Sequence, residues 1–337
     1  MSFFDNVWVI LVLKLLIATV VIFVAAFAVM FAELKISAHM QSRIGPYYCG
    51  GRWGWAHVIA EVFKWLQKED LIPAAADRRV FKAAPMVSLL GMFAVIVVIP
   101  LSPKLVAGGL DVGIFYALAA GAVSTIAILM AGWSSGNKFS LMGGLRAGAQ
   151  LIAYELPLVL AVVGVVIQAE SMSMVQITEA QAVPVFHIGS VGISLPFLLK
   201  GQLVAFVIFM IAALAEVVRI PFDMPIAESE LVMGYLTEYS GIRFTMFLLA
   251  EYAGMFVMSA LAAVLFLGGY HFWGLNADWW GPPVLLAKAA ILCFAMIWFR
   301  WTWPRLREDQ LQSLAWRWLV PLALANIAVT ATLKVVL

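Results

Sequence analysis

The stretch FLLKGQLVAFVIFMIAALAEVVRIPFDMPIAESE, residues 197–230, joins an apolar run of membrane length to a group of acids and prolines. A second apolar run follows from about residue 243. Six of the chain's 19 acids lie within residues 216–251, namely Glu216, Asp223, Glu228, Glu230, Glu238 and Glu251. A carboxylate in a membrane costs roughly 2–4 kcal/mol. Acids concentrated between two spans therefore indicate a function, and proton transfer is the leading hypothesis.

The composition predicts an integral membrane protein. The chain is 64% hydrophobic and 12% charged, whereas soluble domains average about 25% charged residues. About 20 apolar residues span a bilayer as a helix, and no stretch alternates with the period of two that a barrel strand needs. We therefore predict one all-α membrane domain over residues 1–337, with eight spans at 7–32, 83–101, 112–133, 145–168, 197–218, 243–268, 283–303 and 314–336.

Several classes of site are absent from the sequence. The two cysteines, Cys49 and Cys293, lie far apart, and there is no CxxC pair, P-loop or GxGxxG fingerprint. No basic run suggests nucleic acid. We expect no metal cluster and no nucleotide site made by this chain alone. The first apolar run is too long for a signal peptide and reads as a retained helix.

The positive charges predict the orientation. Of the 21 lysines and arginines, 16 fall in the loops after the first, third, fifth and seventh apolar runs. Cytoplasmic loops carry this excess. We therefore expect these odd-numbered loops to face the cytoplasm and both termini to lie outside, in the inner membrane of a cell.

The first cytoplasmic loop, residues 33–82, contains an amphipathic segment at 52–68. Its polar face carries His57, Glu61, Lys64 and Lys68, and its apolar face carries Trp55, Ile59, Val62, Phe63 and Leu66. Such a helix lies in the membrane interface. The alternative is a helix that packs against protein. The two interpretations are compatible if the helix forms a rim between lipid and a partner.

Two acids lie well inside apolar runs. Glu155 and Glu251 are each about 12–15 Å from the start of their predicted helix, at 1.5 Å per residue. Glutamate is too short to reach the surface, so each side chain should face the bundle interior and exchange protons. The alternative is a structural pair, for example Glu155 with Arg146 or Lys288. For Lys14 and Lys288 we expect snorkelling, or for Lys288 a pair with an acid.

The acidic cytoplasmic loop, residues 217–243, should be buried. Glu216 and Arg219 have the i, i+3 spacing of a helical ion pair. Pro221 and Pro225 stop the helix, so the loop should bend back toward the membrane, and a new helical stretch should run from Glu228 to about residue 241. A solvated loop is the alternative, but apolar residues interleave with the acids, which favours burial under a partner subunit. The basic and aromatic segment 300–310 needs no role beyond a cytoplasmic anchor.

Six blocks in register resemble one family: the H subunit of bacterial respiratory NADH:quinone oxidoreductase (complex I), the equivalent of mitochondrial NADH dehydrogenase subunit 1. They are Ser42-Arg43-Ile44-Gly45-Pro46; Lys68-Glu69-Asp70 with Ala76-Asp77-Arg78; Gly132-Trp133-Ser134-Ser135 with Lys138; Leu145-Arg146 with Tyr154-Glu155; Pro221-Phe222-Asp223; and Pro304-Arg305 with Asp309-Gln310-Leu311. The resemblance covers nearly the whole chain and agrees with the predicted helix count.

The resemblance implies a membrane protein that holds the quinone entrance and much of the quinone chamber, and whose acids begin a proton path. It implies quinone as substrate, with iron–sulfur clusters, FMN and NAD in partner subunits. The partners would be the soluble quinone-site and terminal-cluster subunits, small membrane subunits, antiporter-like subunits and lipid. Carried over by position, the portal and chamber residues are Arg43, His57, Glu61, Phe222, Asp223, Glu228 and Glu230. The proton-path residues are Glu155, Glu216, Glu238 and Glu251, and the structural or partner contacts are Glu33, Arg146, Arg219 and Arg305.

The sequence departs from the family pattern at a few positions. Ile226 stands where the family usually has Glu, Tyr47 follows Gly-Pro in place of Asn, and His57 and Glu61 replace Gln and Asp. A proton route through position 226 is therefore in doubt. Two other readings remain at this point: the membrane subunit of an energy-converting hydrogenase, and a free-standing transporter, for which we see no internal repeat.

Overall fold

The computed structural model describes residues 7–188, 191–272 and 277–336, and it confirms the all-α class. The elements are α1 Val7–Met40, α2 His57–Gln67, α3 Arg78–Ile96, α4 Gly113–Ser134, α5 Lys138–Ala169, α6 Met174–Ala182, β1 Pro184–Ile188, β2 Val191–Ser194, α7 Leu203–Glu216, α8 Glu228–Leu231, α9 Gly241–Phe266, α10 Ala277–Thr302, α11 Glu308–Leu314 and α12 Val320–Val336. A π-helical turn, Ala315–Leu319, joins α11 to α12. The two strands pair as a small antiparallel hairpin between α6 and α7.

Seven helices in the described ranges are long and apolar enough to cross a membrane. The predicted fifth span, 197–218, gives the shorter α7 of 14 residues. At 1.5 Å per residue α7 is about 21 Å long, less than the ~30 Å hydrocarbon core. Residues 197–202 form turns instead, in which the amides of Lys200 and Gln202 both donate to the carbonyl of Phe197.

The helix α9 occupies the centre of the bundle. Its residues from Tyr252 to Phe266 are all buried, and it packs on α1, α3 and α10. The outer surface of α1 exposes Val12, Leu16 and Val24. A membrane provides an apolar environment for such side chains, so their exposure fits the composition.

The odd-numbered loops meet on one face of the bundle. Side-chain caps fix the helix starts there: Asp77 accepts a hydrogen bond from the amide of Arg79, and Asn137 accepts one from the amide of Phe139. Hydrogen bonds join the loops at three points: Asp77 N to Ser134 O at 2.9 Å, Asn137 Nδ2 to Glu238 Oε1 at 2.6 Å and Leu306 N to Pro221 O at 3.1 Å. The even-numbered loops meet on the opposite face, where Lys104 and Asp278 pair at 2.7 Å.

Candidate functional site

The centre of the candidate site is Arg219, which follows the end of α7. The helix stops at Glu216, and Val218 has a φ of +55°. This turn separates the directions of Glu216 and Arg219, so the ion pair suggested by their spacing is not formed. Arg219 is 5% exposed and reaches α1 and α9 instead.

Four charged side chains form the core of this site. Arg219 Nη1 lies 2.9 Å from both carboxylate oxygens of Glu33 on α1, and Arg219 Nε lies 2.9 Å from Glu251 Oε1 on α9. Arg300 on α10 also pairs with Glu33. The ring of Tyr252 lies 4.6 Å from the Arg219 guanidinium carbon. We call Glu33, Arg219, Glu251 and Arg300 the Arg219 cluster.

The Arg219 cluster balances two positive and two negative charges in the bundle interior. Ion pairs taken out of water are tolerated only with close partners, and removing one partner costs about 3–5 kcal/mol. Within the described residues, Arg219 Nη2 is buried and has no hydrogen-bond partner. Buried donors without partners are rare in folded proteins, and the hydroxyl of Tyr252 is a further hydrogen-bonding group that acts on this guanidinium.

Glu216 and Glu155 are two further acids in the bundle interior, and their charges interact. Glu216 is 7% exposed, and its Oε2 atom is buried without a hydrogen-bond partner among described residues. The charge of Glu155 acts on Glu216. Glu155 itself makes no hydrogen bond or ion pair with any described residue. Arg146 pairs with Glu230 at 2.7 Å instead, so the structural pair considered for Glu155 with Arg146 is not formed.

Among the described residues, Lys288 pairs with no acid. Its ammonium is half-buried and donates to three backbone carbonyl oxygens just beyond α9. These are Leu267 O at 2.7 Å, Gly269 O at 2.8 Å and His271 O at 2.6 Å. Lys288 therefore stabilises the end of the central helix.

A small cavity lies between Glu216 and Glu251 of the Arg219 cluster. It has a volume of about 30 Å³ and touches Glu216 and Glu251, with Ser88, Ser124 and Tyr235 in its wall. A cavity of at least about 10–15 Å³ can hold a water when polar groups line it. The geometry therefore provides room for one water between the carboxyl groups of α7 and α9.

The acidic loop folds back onto the bundle. Asp223 pairs with Arg305 at 3.1 Å, and Phe222 is buried with its ring 5.2 Å from that of Tyr154. Burial raises the pKa of Asp223, and the charge of Arg305 offsets part of that effect. Because Leu306 also bonds to Pro221, the loop is fixed to the segment between α10 and α11.

The rest of the loop lies against α5. Arg146 holds Glu230 at 2.7 Å and also lies 3.7 Å from Glu308. Its hydrogen bond and positive charge lower the pKa of Glu230. Glu228 begins α8, but its side chain lies outside the described part of the structure. Glu238 accepts a hydrogen bond from Asn137.

The predicted helical stretch from Glu228 to about residue 241 is interrupted in the structure. The helix α8 has four residues, and a 3₁₀ turn follows at Gly234–Leu236. Val232 and Gly234 both have positive φ, which ends a right-handed helix. At Gly234 a Cβ atom would lie 1.7 Å from Pro225 O, so only glycine fits this bend.

The interfacial segment forms α2, which packs on the bundle with one side and exposes three residues of its predicted apolar face. Val58 is buried and Trp65 meets Phe244 of α9 at 5.7 Å. Ile59, Phe63 and Leu66 are exposed. The helix therefore packs on protein with one side and presents an apolar stripe with the other. Glu61 pairs with Lys64, and His57 is half-buried.

The predicted portal residues lie away from the charged centre. Arg43 is exposed and bonds to Gln41. Among the described residues, no hydrogen bond or ion pair links Arg43, His57 or Glu61 to the Arg219 cluster. The structure keeps these three side chains in the peripheral loop and helix, whereas it brings the acids of α1 and α9 together around Arg219.

Sequence reasoning missed Arg300 as a site residue, because a cytoplasmic anchor alone explains the basic segment 300–310. The signal was its position inside the apolar run 283–303, where a cation needs a partner. Tyr252, next to Glu251, was also missed, because nothing in the sequence around it indicates a contact with Arg219.

An apolar groove lies between α1, α9 and α10. Its volume is about 500 Å³, and it follows α1 from Val20 to Ile36, with Phe256 and Ile297 on the facing helices. The sixteen residue steps from Val20 to Ile36 correspond to about 24 Å of helix. The groove therefore runs along much of the bilayer thickness and ends within one turn of Glu33.

These features define a polytopic α-helical membrane protein that carries a buried charge cluster beside an apolar groove. A family model described as NADH dehydrogenase matches residues 13–331. The H subunit of NADH-quinone oxidoreductase from Bacillus mycoides (strain KBAB4) is 46% identical over 308 residues, which cover 90% of this chain and 87% of that protein. The H subunit from Geobacillus kaustophilus (strain HTA426) is 43% identical over 325 residues, 95% of this chain and 92% of that protein.

The chain therefore belongs to the NADH dehydrogenase family, as a membrane component of an oxidoreductase complex. The predicted resemblance to the H subunit is confirmed. The roles of individual residues stay predictions.

Proposed function

We propose that this chain forms the quinone entrance and much of the quinone chamber of a proton-pumping NADH:quinone oxidoreductase. The chain does not catalyse alone. Electrons come from an iron–sulfur cluster of a partner subunit, with FMN and NAD bound elsewhere in the complex. Reduction of one quinone consumes two electrons and two protons, and this chain supplies a path for protons.

The observation that carries the proposal is the apolar groove that ends beside the Arg219 cluster. A quinone has a long apolar tail and a polar head. The groove along α1 matches the tail, since its lining is almost entirely aliphatic and aromatic. Arg219 and the acids around it lie near the end of the groove, where a polar head would arrive.

The acids provide the second half of the proposal. Glu155 lies near enough to Glu216 for their charges to interact, and the 30 Å³ cavity touches both Glu216 and Glu251. A carboxyl group is able to take a proton from one side and release it to a water on the other. The three acids would pass protons between the quinone region and the neighbouring membrane subunits.

The face on which the odd-numbered loops meet is the surface that binds the soluble partners. It collects the segment 33–82, the acidic loop 217–243 and the segment after α10, and it holds most of the positive charge. By the positive-inside rule this face lies in the cytoplasm and both termini lie outside. Exposed aromatic residues on it, such as Tyr48 and Trp53, suit contact with a partner or with lipid.

The groove is tested by filling it. In Ala28→Phe a ring replaces a methyl group at an exposed position of the groove wall. We expect KM for a long-tailed quinone to rise about tenfold, which corresponds to about 1.4 kcal/mol. KM for a short-tailed analogue should hardly change, because the analogue does not occupy the groove. Steady-state kinetics of the assembled complex measure both constants.

Val12→Phe is the matched control, since Val12 is an exposed residue of α1 outside the groove. If Ala28→Phe leaves both KM values unchanged, or raises them equally, the groove does not hold the quinone tail.

A further inference from the structure

A second large cavity lies on the face of the even-numbered loops, away from the Arg219 cluster. Its volume is about 550 Å³, within the range of about 300–1,000 Å³ of ligand pockets. It lies where the end of α5, the turn before α7 and the last turns of α12 come together. Its wall includes Phe197, Lys200, Gln202, Val329, Leu333 and Lys334. The quinone and proton roles do not use it.

The rim of the cavity is positive. Lys200 is half-buried and forms no ion pair with a described residue, and its ammonium lies 5.8 Å from the centre of the Phe197 ring. Lys334 pairs with Glu170 at 3.1 Å, and both side chains are largely exposed. Two ammonium groups and one carboxylate leave a net charge of +1 at the mouth. A half-buried ammonium without a counter-charge favours an anionic ligand.

The inner part of the cavity is apolar and continues onto the surface of α12. Val329 and Leu333 are 56% and 51% exposed. They are four residues apart, so they lie on the same side of the helix, one turn from each other. Together they form an apolar stripe that begins in the cavity and points along α12 into the membrane.

The depth of the cavity follows from the short α7. Because this helix has only 14 residues, the turn at 197–202 occupies part of the predicted span, and Lys200 lies in that turn. At the end of a predicted span, we expect the positive rim at the level where lipid headgroups meet hydrocarbon.

We propose that this cavity binds one anionic phospholipid from the leaflet on the even-loop face. The phosphate contacts Lys200 and Lys334, and one acyl chain lies along Val329 and Leu333. Basic pockets between membrane helices bind anionic headgroups in this way. The charge selects the lipid class, and the stripe on α12 selects a lipid over a free phosphate.

The test places a photoreactive side chain in the stripe. The assembled complex, with p-benzoylphenylalanine in place of Val329, is reconstituted into vesicles of phosphatidylcholine with or without phosphatidylglycerol. After illumination, mass spectrometry of this chain identifies the adduct. We expect a phosphatidylglycerol adduct that falls at least fivefold in a Lys200→Gln, Lys334→Gln double variant. Lys104→Gln, a lysine variant elsewhere on the same face, should leave the adduct unchanged.

Three outcomes overturn the proposal: an adduct with a neighbouring polypeptide, an adduct with phosphatidylcholine in equal yield, or a phosphatidylglycerol adduct that ignores both lysines. Co-purification of the partner subunits verifies that each variant is assembled. Phosphatidylglycerol retained by the unlabelled complex, measured with Lys200→Gln and with Lys104→Gln, gives the same comparison without the photoreactive group. Equal retention in these two variants also contradicts the proposal.

Discussion

At the scale of single residues, the sequence identifies charged groups but not their partners. Glu33, Arg219 and Glu251 all stand out in the sequence. Their mutual contacts were not predicted, because the rotation of each helix and the turn at Val218 decide which side chains meet. The i, i+3 rule applies only inside a helix, and Arg219 lies beyond the end of α7.

The balance of charge in the Arg219 cluster gives a prediction. In Glu33→Gln, Arg219 keeps only Glu251 and Arg300 loses its carboxylate partner in the cluster. The side chains of Glu33 and Arg219 are 7% and 6% exposed, so solvent compensates little. We expect a loss of about 3–5 kcal/mol, the range for breaking a buried pair. It should appear as a low yield of assembled complex and fast thermal inactivation.

A second substitution makes this prediction specific. Glu33→Gln combined with Arg300→Gln leaves one positive charge, on Arg219, and one negative charge, on Glu251. The cluster is then neutral again, so the yield of assembled complex and the half-life of its activity should partly recover. Double-mutant comparison measures this coupling. If the double variant is as poor as the sum of both single variants, charge balance does not stabilise the site.

At the scale of elements, turn geometry limits what sequence patterns can predict. The prolines at 221 and 225 correctly indicated a break, and the apolar residues between the acids indicated burial. The four-residue α8 was not predicted, since nothing in the pattern reveals the positive φ of Val232. Ile226 is half-buried and packs against a cluster that includes Phe81 and Tyr235. A carboxylate at this position would therefore be surrounded by apolar side chains.

The bend at Gly234 can be tested directly. In Gly234→Ala the new methyl group meets Pro225 O at 1.7 Å, and the backbone has a φ of +54°. The acidic loop must shift to relieve this clash. We expect weaker attachment of the loop to α5, seen as faster thermal inactivation of quinone reduction by the assembled complex.

Gly51→Ala separates the clash from backbone strain. Gly51 also has positive φ, at +91°, but no atom of a described residue lies within 4 Å of its added methyl group. Both variants share a strain of about 1–2 kcal/mol, so the difference between them reports the clash. Equal inactivation rates would show that the loop is not held by this contact.

At the scale of the whole molecule, hydropathy predicts the spans but not their places in the bundle. The segments Gly241–Phe266 and Glu308–Val336 have the same mean hydropathy of 1.8, yet 78% of the first window and 17% of the second are buried within the chain. Hydropathy measures transfer into an apolar environment and does not distinguish lipid from protein. The central position of α9 therefore had to come from the three-dimensional structure.

The same limit applies to the proposed proton path. The acids inside apolar runs are visible in the sequence, since each is costly there. The cavity between Glu216 and Glu251 depends on how α3, α4, α7 and α9 pack, and no sequence pattern reports it. The proposed mechanism thus depends on one claim: these carboxyl groups transfer the protons that accompany quinone reduction.

The most direct test is the ratio of protons pumped to electrons transferred in a Glu155→Gln complex in liposomes. Glu155 has no hydrogen-bond or ion-pair partner among described residues, so glutamine removes the ability to carry a proton with little effect on packing. Asp111→Asn, at an exposed acid, is the control and should match the wild type. We predict an assembled complex in which pumping or quinone reduction falls at least tenfold. Wild-type rates and an unchanged ratio would contradict the proposed proton path.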